Sequence, residues 1–344
     1  MKMSWSICSV ALAVSFSLVF GCAESKGSPS KASAQAPFEK AVLRYQGFAG
    51  TVTYPELAED LGYLAPIRLE YVGNTISGPQ DIQTVVTRDI DFGGAFNGAV
   101  IKLRAAKAPI VAIMGYYGVD EKTWSGYYVL DNSPIKSARD FIGKKVAVNT
   151  VGAHSELILR EYLARGGLTK DEAAQVTLVV VPPVSAEQAL RQGQVDIATL
   201  GGIMREKALE RGGISKVFSD YDLYGKFTAG SYVLTRDFLR DNPKTARHFV
   251  EATAKAIEWA RSTAREQVVQ RMEAIIGRRG RSEDASAVKY WRSTGVAGPG
   301  GLIKPEEFQV WLDWLVKDGQ LAPGQLAPSE IYTNELNPFQ SQGT

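Results

Sequence analysis

The chain has 344 residues, and 39 Lys and Arg against 37 Asp and Glu give it a formal net charge of +2. With 45% hydrophobic and 22% charged residues it has an ordinary globular composition, which argues against a disordered tail, a collagen or a nucleic-acid-binding stripe of positive charge. The length is about twice that of a usual single domain, so we expect either two lobes or one large α/β unit. The two cysteines, Cys8 and Cys22, both lie near the N-terminus, so the rest of the chain offers no disulfide, thiolate metal ligand or catalytic cysteine.

The N-terminus has the pattern of an export signal. Lys2 precedes an uncharged, mostly apolar run over residues 7–20. That run is shorter than the roughly 20 residues that span a membrane, but it is typical of the hydrophobic region of a secretory signal. We therefore predict a signal peptide over residues 1–21.

A cysteine follows directly after this apolar run. Residues 19–22, VFGC, resemble the bacterial lipobox, which implies lipid attachment to Cys22. The alternative is an ordinary signal peptide that is cleaved later, near residues 32–34, with Cys22 removed. Residues 24–36, ESKGSPSKASAQA, contain no large apolar side chain. We therefore interpret residues 22–40 as a lipidated cysteine and a flexible tether to the membrane, with a typical reach of roughly 20 Å for the 24–36 segment.

From residue 41 onward short β-rich runs alternate with helical patterns, which indicates an α/β fold with mainly parallel sheets. Strands are predicted over residues 41–45, 67–72, 90–93, 109–117, 126–130, 145–149, 176–181, 195–200 and 231–235. Helices, in which apolar residues recur every three or four residues, are predicted over residues 55–61, 81–87, 98–106, 155–165, 186–192 and 202–211. After Asn242 a helical C-terminal section is predicted, with one helix through 248–261 and others near 285–292 and over 306–317.

Parts of the chain repeat at an offset of about 105 residues. Gly47 corresponds to Gly152, and Asp91 in RDIDFGG corresponds to Asp196 in GQVDIAT. Each matched pair occupies the same place in a strand, turn, helix and strand unit. Two similar βαβαβ lobes are the simplest explanation.

Glycine-rich turns follow several predicted strands and precede helices. In open α/β sheets, ligands bind at the carboxyl ends of the strands, where such turns lie. Free N–H groups at the N-termini of the following helices favour an anion or another strong acceptor. The alternative is that these are ordinary tight turns that need glycine for positive φ. The turns lie at residues 45–50, 75–80, 93–98, 149–155 and 200–202.

The sequence lacks the common enzyme motifs. It contains no G-x-S-x-G, H-E-x-x-H or G-x-x-x-x-G-K-[ST], and no predicted strand is followed by G-x-G-x-x-G. Its two histidines, His154 and His248, are too few for a site that needs three. His154 and Ser155 stand at a predicted helix start, where they either donate to a ligand or cap the helix.

Aromatic residues cluster in or near the same turns, and about half of them are expected in the core. The others would give a cleft the flat apolar walls that suit a small organic molecule. The cluster comprises Tyr45, Phe48, Phe96, Tyr116, Tyr117, Trp124, Tyr127 and Tyr232.

Several sequence segments occur together in an order that is typical of one protein family: YQGFAG, VTRDIDFGGAFNGA, NSPIKS with GKKVAV, RQGQVDIATLGG, and TRDFLRDNPKTARHFVEATAKAIEWA. They resemble the periplasmic substrate-binding proteins of ABC importers in the nitrate, sulfonate and taurine group, which includes thiamine-precursor binders. The likeness covers residues 41–259. It implies a two-lobed type II periplasmic-binding-protein fold, each lobe a mainly parallel sheet flanked by helices, with a helical C-terminal section. Lobe one would comprise residues 41–125 and 232–344, and lobe two residues 126–231.

The resemblance implies an extracytoplasmic protein that binds a small polar or anionic organic solute, similar to a sulfonate, taurine or nitrate, in the cleft by hinge closure. Its partners would be the permease and ATPase subunits, and we expect a monomer without catalytic residues, cofactor, metal or nucleic acid. The alternatives are an enzyme on the same fold, of the thiamine-pyrimidine synthase or menaquinone-pathway dehydratase type, or a ligand sensor.

Binding residues of the family lie on the five glycine-rich turns. Many members carry a proline shortly after the strand end that corresponds to residues 91–93, DFG, where this chain has FNGA at residues 96–99. Many also carry Trp and Pro at the equivalent place in the second lobe, where this chain has GGI at residues 201–203. The resemblance therefore does not identify the solute. No arginine lies in the turns, so N–H groups and hydroxyls would hold an anion, and a neutral or zwitterionic solute fits equally well. The candidate solute-binding residues are Tyr45, Gln46, Gly47, Phe48, Ser77, Gly78, Phe96, Asn97, Tyr117, Trp124, Thr150, Gly152, His154, Ser155, Gly201, Gly202 and Tyr232.

Overall fold

The computed structural model of the protein describes residues 38–75 and 77–340. The predicted signal peptide, Cys22 and the tether up to residue 37 lie outside the described residues. Residues 38–40, which we predicted as the end of the tether, contact the folded body. The Phe38 ring lies 4.7 Å from the His248 ring, and Glu39 accepts a hydrogen bond from the Thr245 backbone at 2.9 Å.

Strands and helices alternate through the first two thirds of the described chain. The strands are β1 (Val42–Gly47), β2 (Arg68–Asn74), β3 (Gly93–Phe96), β4 (Ile110–Val119), β5 (Ser125–Leu130), β6 (Lys145–Val148), β7 (Thr177–Val180), β8 (Ile197–Gly201), β9 (Ile214–Ser219) and β10 (Phe227–Thr235). The helices are α1 (Tyr54–Asp60), α2 (Gly78–Val86), α3 (Asn97–Ala105), α4 (His154–Arg165), α5 (Lys170–Ala174), α6 (Pro183–Arg191), α7 (Gly202–Glu210), α8 (Asp220–Tyr224), α9 (Arg236–Asp241), α10 (Pro243–Ser262), α11 (Arg265–Arg278) and α12 (Glu306–Lys317).

The strands form two β-layers. In the first β-layer β1 pairs with β2 in parallel, and β10 pairs antiparallel with β3 and β4. A backbone hydrogen bond of 2.9 Å from Asp91 to Arg44 joins β1 to the segment before β3. The second β-layer is one sheet in the order β7-β6-β8-β5-β9, in which β5 is antiparallel to both neighbours. Each layer therefore contains one antiparallel strand. The chain passes from the first layer to the second at residues 120–124 and then forms β5, and it returns to the first layer at residues 225–226 and then forms β10.

The two layers repeat one local arrangement. In the first, the Asp91 carboxylate accepts a hydrogen bond from the Arg44 backbone at 2.7 Å. In the second, the Asp196 carboxylate accepts one from the Lys145 backbone at 2.8 Å. The aspartates that match at the offset of about 105 residues thus make the same kind of hydrogen bond to a neighbouring strand.

The C-terminal section is helical, as predicted, and α12 has the predicted bounds, but two other segments differ from the prediction. Helix α11 was not predicted, although Val268, Met272 and Ile275 follow the helical spacing and are buried. The helix predicted over residues 285–292 is wrong: a short 3₁₀ turn, Val288–Tyr290, occupies that segment. Strand β9, whose sequence ISKVFS mixes polar and apolar residues, was also missed.

Helices cover both layers and complete the core. The Phe92 ring, next to β3, lies 4.5 Å from the Phe249 ring of α10. On the other side of β3, the buried Trp311 of α12 lies 4.7 Å from the Phe96 ring. Among the helices that the structure describes, none has the length and apolar composition needed to cross a membrane.

Candidate functional site

A cleft with two adjoining chambers lies where the two β-layers face each other. The first chamber has a volume of about 320 Å³ and the second about 260 Å³. Phe48, Tyr116 and Tyr117 line both chambers and form the wall between them. Each chamber is near the lower end of the roughly 300–1,000 Å³ range of small-molecule sites.

The first chamber is lined from both β-layers. The first-layer side contributes Phe48, Gly78, Pro79, Phe96, Tyr116 and Tyr117. The second-layer side contributes Ser125, Ala147, Val148, Asn149, Ala153, His154, Ser155, Val181, Pro183, Ala186, Thr199, Leu200, Gly201 and Met204.

Two helices begin at the first chamber. The residues that precede α4 and α7 are Ala153 and Gly201, and neither provides a side-chain oxygen to the first N–H groups of its helix. Both residues line the chamber. Because the first N–H groups of a helix have no partner within the helix and carry partial positive charge, this wall favours an anionic or strongly accepting group.

His154 joins the two sides of the first chamber. Its ring stacks on the Phe96 ring, with 5.0 Å between centroids and 5° between planes. Its Nε2 lies 3.4 Å from an oxygen of the buried Asp220 carboxyl. Burial lowers the pKa of His154 to about 4 and raises the pKa of Asp220 to about 7. Burial therefore disfavours the charged form of both groups.

The second chamber has six aromatic residues among its 17 lining residues and is lined almost entirely from the first-layer side and the C-terminal section. Its polar lining includes Gln46 and Asp81. The remaining lining residues are Phe48, Thr51, Val52, Thr53, Tyr54, Gly94, Tyr116, Tyr117, Ile203, Tyr232, Met272, Val288, Trp291, Ser293 and Thr294.

Asp81 is a buried carboxyl in this aromatic chamber. Its side chain is held by the Gly94 N–H, which donates to Oδ2 at 2.7 Å. Burial raises the pKa of Asp81 to about 7, and the Gly94 hydrogen bond opposes that rise. A Cβ atom on Gly93 would lie 2.8 Å from Oδ2, and one on Gly94 would lie 2.6 Å from the Tyr116 ring. The glycine pair of the FGGAF segment therefore makes room for the carboxyl and the tyrosine side by side.

The structure brings part of the predicted site together. Phe48, Gly78, Phe96, Tyr117, His154, Ser155 and Gly201 line the first chamber. Gln46, Phe48, Tyr117 and Tyr232 line the second. Their role in binding stays a prediction.

Three of the predicted site residues with large side chains lie outside both chambers and have structural partners. Tyr45 donates to Glu56 at 2.5 Å and accepts from Arg281 at 2.7 Å. The fully buried Asn97 bonds to strand β10 and helix α12. The Trp124 ring lies 3.9 Å from the guanidinium of Arg205.

Five smaller predicted residues also lie outside the two chambers. Ser77 caps α2, and the Thr150 hydroxyl donates to the Asn149 carbonyl at 2.7 Å. Gly152, with φ +78°, lines a separate groove near Lys102. The last two, both backbone positions, are Gly47 in β1 and Gly202 at the start of α7.

Several lining residues were missed by reasoning from sequence. Asp81 lies in the first turn of α2, just after a predicted glycine-rich turn, so an acidic residue at that place was an available signal. Trp291 and Tyr54 reach the second chamber from distant parts of the chain, and no local pattern marks them. Asn149 follows β6, Thr199 lies in β8 and Met204 lies in α7, so all three are in or next to recognised turns from which other residues were selected.

Comparison with known proteins agrees with this architecture. Residues 57–266 match the family model described as NMT1/THI5 like, and the chain belongs to this family. It is 27% identical over 203 residues to a putative aliphatic sulfonates-binding protein of Escherichia coli (strain K12), covering 58% of this chain and 60% of the relative. The chain thus matches about three fifths of that relative's length.

Solved structures show the same fold. The periplasmic aliphatic sulphonate binding protein SsuA of Escherichia coli superimposes with a TM-score of 0.63 at 23% identity, covering 84% of this chain and 91% of that one. The periplasmic nitrate-binding protein NrtA of Synechocystis PCC 6803 gives a TM-score of 0.67 at 16% identity, covering 87% and 88%. The predicted α/β periplasmic-binding-protein fold is confirmed, as is the resemblance to this group of proteins.

Proposed function

We propose that the protein is the extracytoplasmic solute-binding component of an ABC importer, and that it holds a small polar or anionic organic solute in the cleft. The observation that carries the proposal is the first chamber, where the uncapped N-termini of α4 and α7 face aromatic walls from the other β-layer. Such N–H groups bind a sulfonate, carboxylate or nitrate oxygen without a basic side chain. The names of the similar proteins, a sulfonate binder and a nitrate binder, support the same class of solute.

The proposed mechanism is hinge closure rather than chemistry. The two lobes, predicted over residues 41–125 with 232–344 and over 126–231, would move about the two crossings at residues 120–124 and 225–226. Residues 227–231 belong to β10, which pairs with β3 and β4 of the first β-layer, so they would move with lobe one. Because the first chamber is lined from both β-layers, its binding shell is complete only when the layers approach each other. A solute that contacts both walls therefore selects the closed population. The permease and ATPase subunits would then receive the solute from a monomeric closed form.

We further propose that Cys22 carries lipid and that the residues after it tether the folded body to a membrane. The lipobox-like residues 19–22 support this reading. Cys22→Ser is expected to move the protein from the membrane fraction to the periplasmic fraction with no change in solute affinity, because the cleft is built from residue 46 onward. Retention of the variant in membranes would contradict lipid anchoring.

The binding proposal is tested with a thermal-shift screen of nitrate, alkanesulfonates, aminosulfonates, pyrimidines and aromatic acids, followed by small-angle scattering. Solutes that raise the melting temperature are expected to reduce the radius of gyration. Met204→Trp, which fills the first chamber from α7, is expected to abolish both effects. Leu209→Trp, on the same helix at a 41% exposed position, is the matched control and is expected to keep them. Binding without compaction would overturn the hinge mechanism, and binding that Met204→Trp leaves intact would place the site elsewhere.

A further inference from the structure

The charge of the cleft differs between its two chambers. Among the described residues that line either chamber there is no lysine and no arginine. The second chamber contains one carboxyl, that of Asp81, whose residue is only 5% exposed. A buried carboxylate with no cationic side chain beside it favours a positively charged group that arrives with a ligand.

Two acceptor oxygens in the second chamber lack a donor. Asp81 Oδ1 and Gln46 Oε1 are both buried, and neither has a hydrogen-bond partner within the described part of the chain. The other carboxylate oxygen, Oδ2, is already held by Gly94, so the carboxyl is fixed in place with one oxygen free. Buried acceptors without a donor are costly, and a donating group that enters the chamber removes that cost.

The walls around these oxygens suit a cation as well as an apolar body. Tyr116 and Tyr232 stack with their centroids 4.2 Å apart, and the rings of Tyr54 and Trp291 line the same chamber. The faces of aromatic rings attract ammonium groups, most strongly when the site is shielded from water. The same rings give the carbon skeleton beside the nitrogen an apolar surface to contact.

We propose that the second chamber is a subsite for a cationic nitrogen, and that the solute presents a protonated amine to Asp81 and Gln46 within the aromatic walls. The inference rests on the proposed solute-binding function, because the chamber is part of the same cleft. The first chamber, lined by helix N-termini, then accepts the opposite, anionic end. A solute with both groups would reach from one chamber into the other past Phe48, Tyr116 and Tyr117, which line both.

The experiment compares three probes of similar shape and different charge: benzylammonium, benzyl alcohol and benzoate, titrated calorimetrically into the wild-type chain. Benzylammonium is expected to bind about tenfold more tightly than benzyl alcohol, and benzoate more weakly than either, because a hydrogen bond to a charged partner is the stronger one. Asp81→Asn keeps the shape and an acceptor for Gly94, and it is expected to reduce the preference for benzylammonium to within about threefold. Asp89→Asn changes an exposed acid in the loop between α2 and β3 and is expected to leave the preference unchanged.

A second variant covers the case in which Asp81→Asn does not fold. Trp291→Leu removes one aromatic wall at a partly exposed position and is expected to weaken benzylammonium more than benzyl alcohol. The subsite is overturned if the neutral or anionic probe binds the wild type as tightly as the cation, if none of the three binds at millimolar concentration, or if both variants keep the full preference. If sulfonates compact the protein but benzylammonium is not preferred over the other probes, the cationic subsite is overturned and the proposed function stands. If no bound solute compacts the protein, hinge closure is overturned, and the comparison of the three probes remains a valid test of the subsite.

Discussion

Asp81 is a residue whose protonation the fold changes strongly. Its carboxyl is buried against aromatic rings, and the only hydrogen bond to it in the described structure is from the Gly94 N–H. Burial raises its pKa from 3.8 to about 7. Between these two values the folded chain keeps a proton that the unfolded chain has lost. The contribution of Asp81 to stability is therefore most favourable below about pH 4 and falls as the pH rises to about 7.

This shift predicts the pH dependence of unfolding for Asp81→Asn, whose amide cannot ionise. Relative to this variant, the wild type is expected to lose about 2–4 kcal/mol of unfolding free energy between about pH 4.5 and about pH 8. Urea denaturation at the two pH values, without solute, measures the difference. The lowered pKa of His154 makes the unfolding free energy rise with pH between about pH 4 and 6.5, opposite to the effect of Asp81. His154 and Asp220 are present in both proteins, so their effects cancel in the comparison. Parallel pH profiles for the two proteins would show that Asp81 is not desolvated in the fold.

At the scale of elements, Asn97 connects three pieces of the first β-layer and its helical cover. Its side-chain amide donates to the Glu307 carbonyl of α12 at 3.2 Å and to the Thr228 carbonyl of β10 at 3.4 Å. Its oxygen accepts from the Ser231 hydroxyl at 2.8 Å. All of these groups are buried, so each one that loses its partner carries a desolvation cost.

Asn97→Ala is accordingly expected to lower the unfolding free energy by about 2–3 kcal/mol, because it leaves two carbonyls and a hydroxyl without their partner. Ser231→Ala removes a single bond and is expected to cost about 1 kcal/mol. Solute affinity should be unchanged in both, since neither residue lines a chamber. Denaturation and calorimetric titration measure the two quantities. An Asn97→Ala chain of normal stability with weakened binding would instead support the binding role that the sequence predicted.

The elements show how far sequence reasoning reaches. Helix α12 was predicted with its observed bounds, because its buried residues follow one strong helical period. The helix predicted at 285–292 is wrong: residues 288–290 form a single 3₁₀ turn, and the Arg265 side chain bonds to the Lys289 and Trp291 carbonyls. Local periodicity is visible in a sequence, but competition from a distant side chain is not.

The same distinction holds for the candidate site. Each of the five glycine-rich turns contributes residues to the lining of the two chambers, because the edge where the turns lie follows from strand direction alone, and their role in binding stays a prediction. Which side chains face the cleft depends on tertiary packing: Trp124 was selected but packs on Arg205, and Trp291 was missed but lines the second chamber. Asn97 was selected for its place in a turn, and its three buried partners come from residues 228–307.

At the scale of the whole molecule, the cleft is bridged by polar contacts at its rim. Arg292, in the C-terminal section, bonds to Glu206 of α7 at 2.9 and 2.8 Å. Two residues away, the Tyr290 hydroxyl donates to Glu210 on the same helix. Helix α7 follows β8 of the second β-layer, whereas the C-terminal section packs on the first. These contacts therefore link the two parts that the proposed hinge would separate.

Arg292→Gln is expected to favour the open form without unfolding the protein. A partly exposed ion pair contributes about 0.2–1 kcal/mol, and the Arg292–Glu206 pair would exist only in the closed form. Without it, solute affinity is expected to fall about two- to fivefold, because the solute leaves the cleft faster. Stopped-flow release rates at low and high salt measure the effect, which should shrink as salt screens the pair. Arg240→Gln is the matched control: Arg240 is also exposed and also pairs with aspartates, at 2.7 and 2.8 Å, but both partners lie within α9 and none of these residues lines a chamber. Equal release rates for Arg292→Gln and Arg240→Gln would show that the rim contacts do not hold the cleft closed.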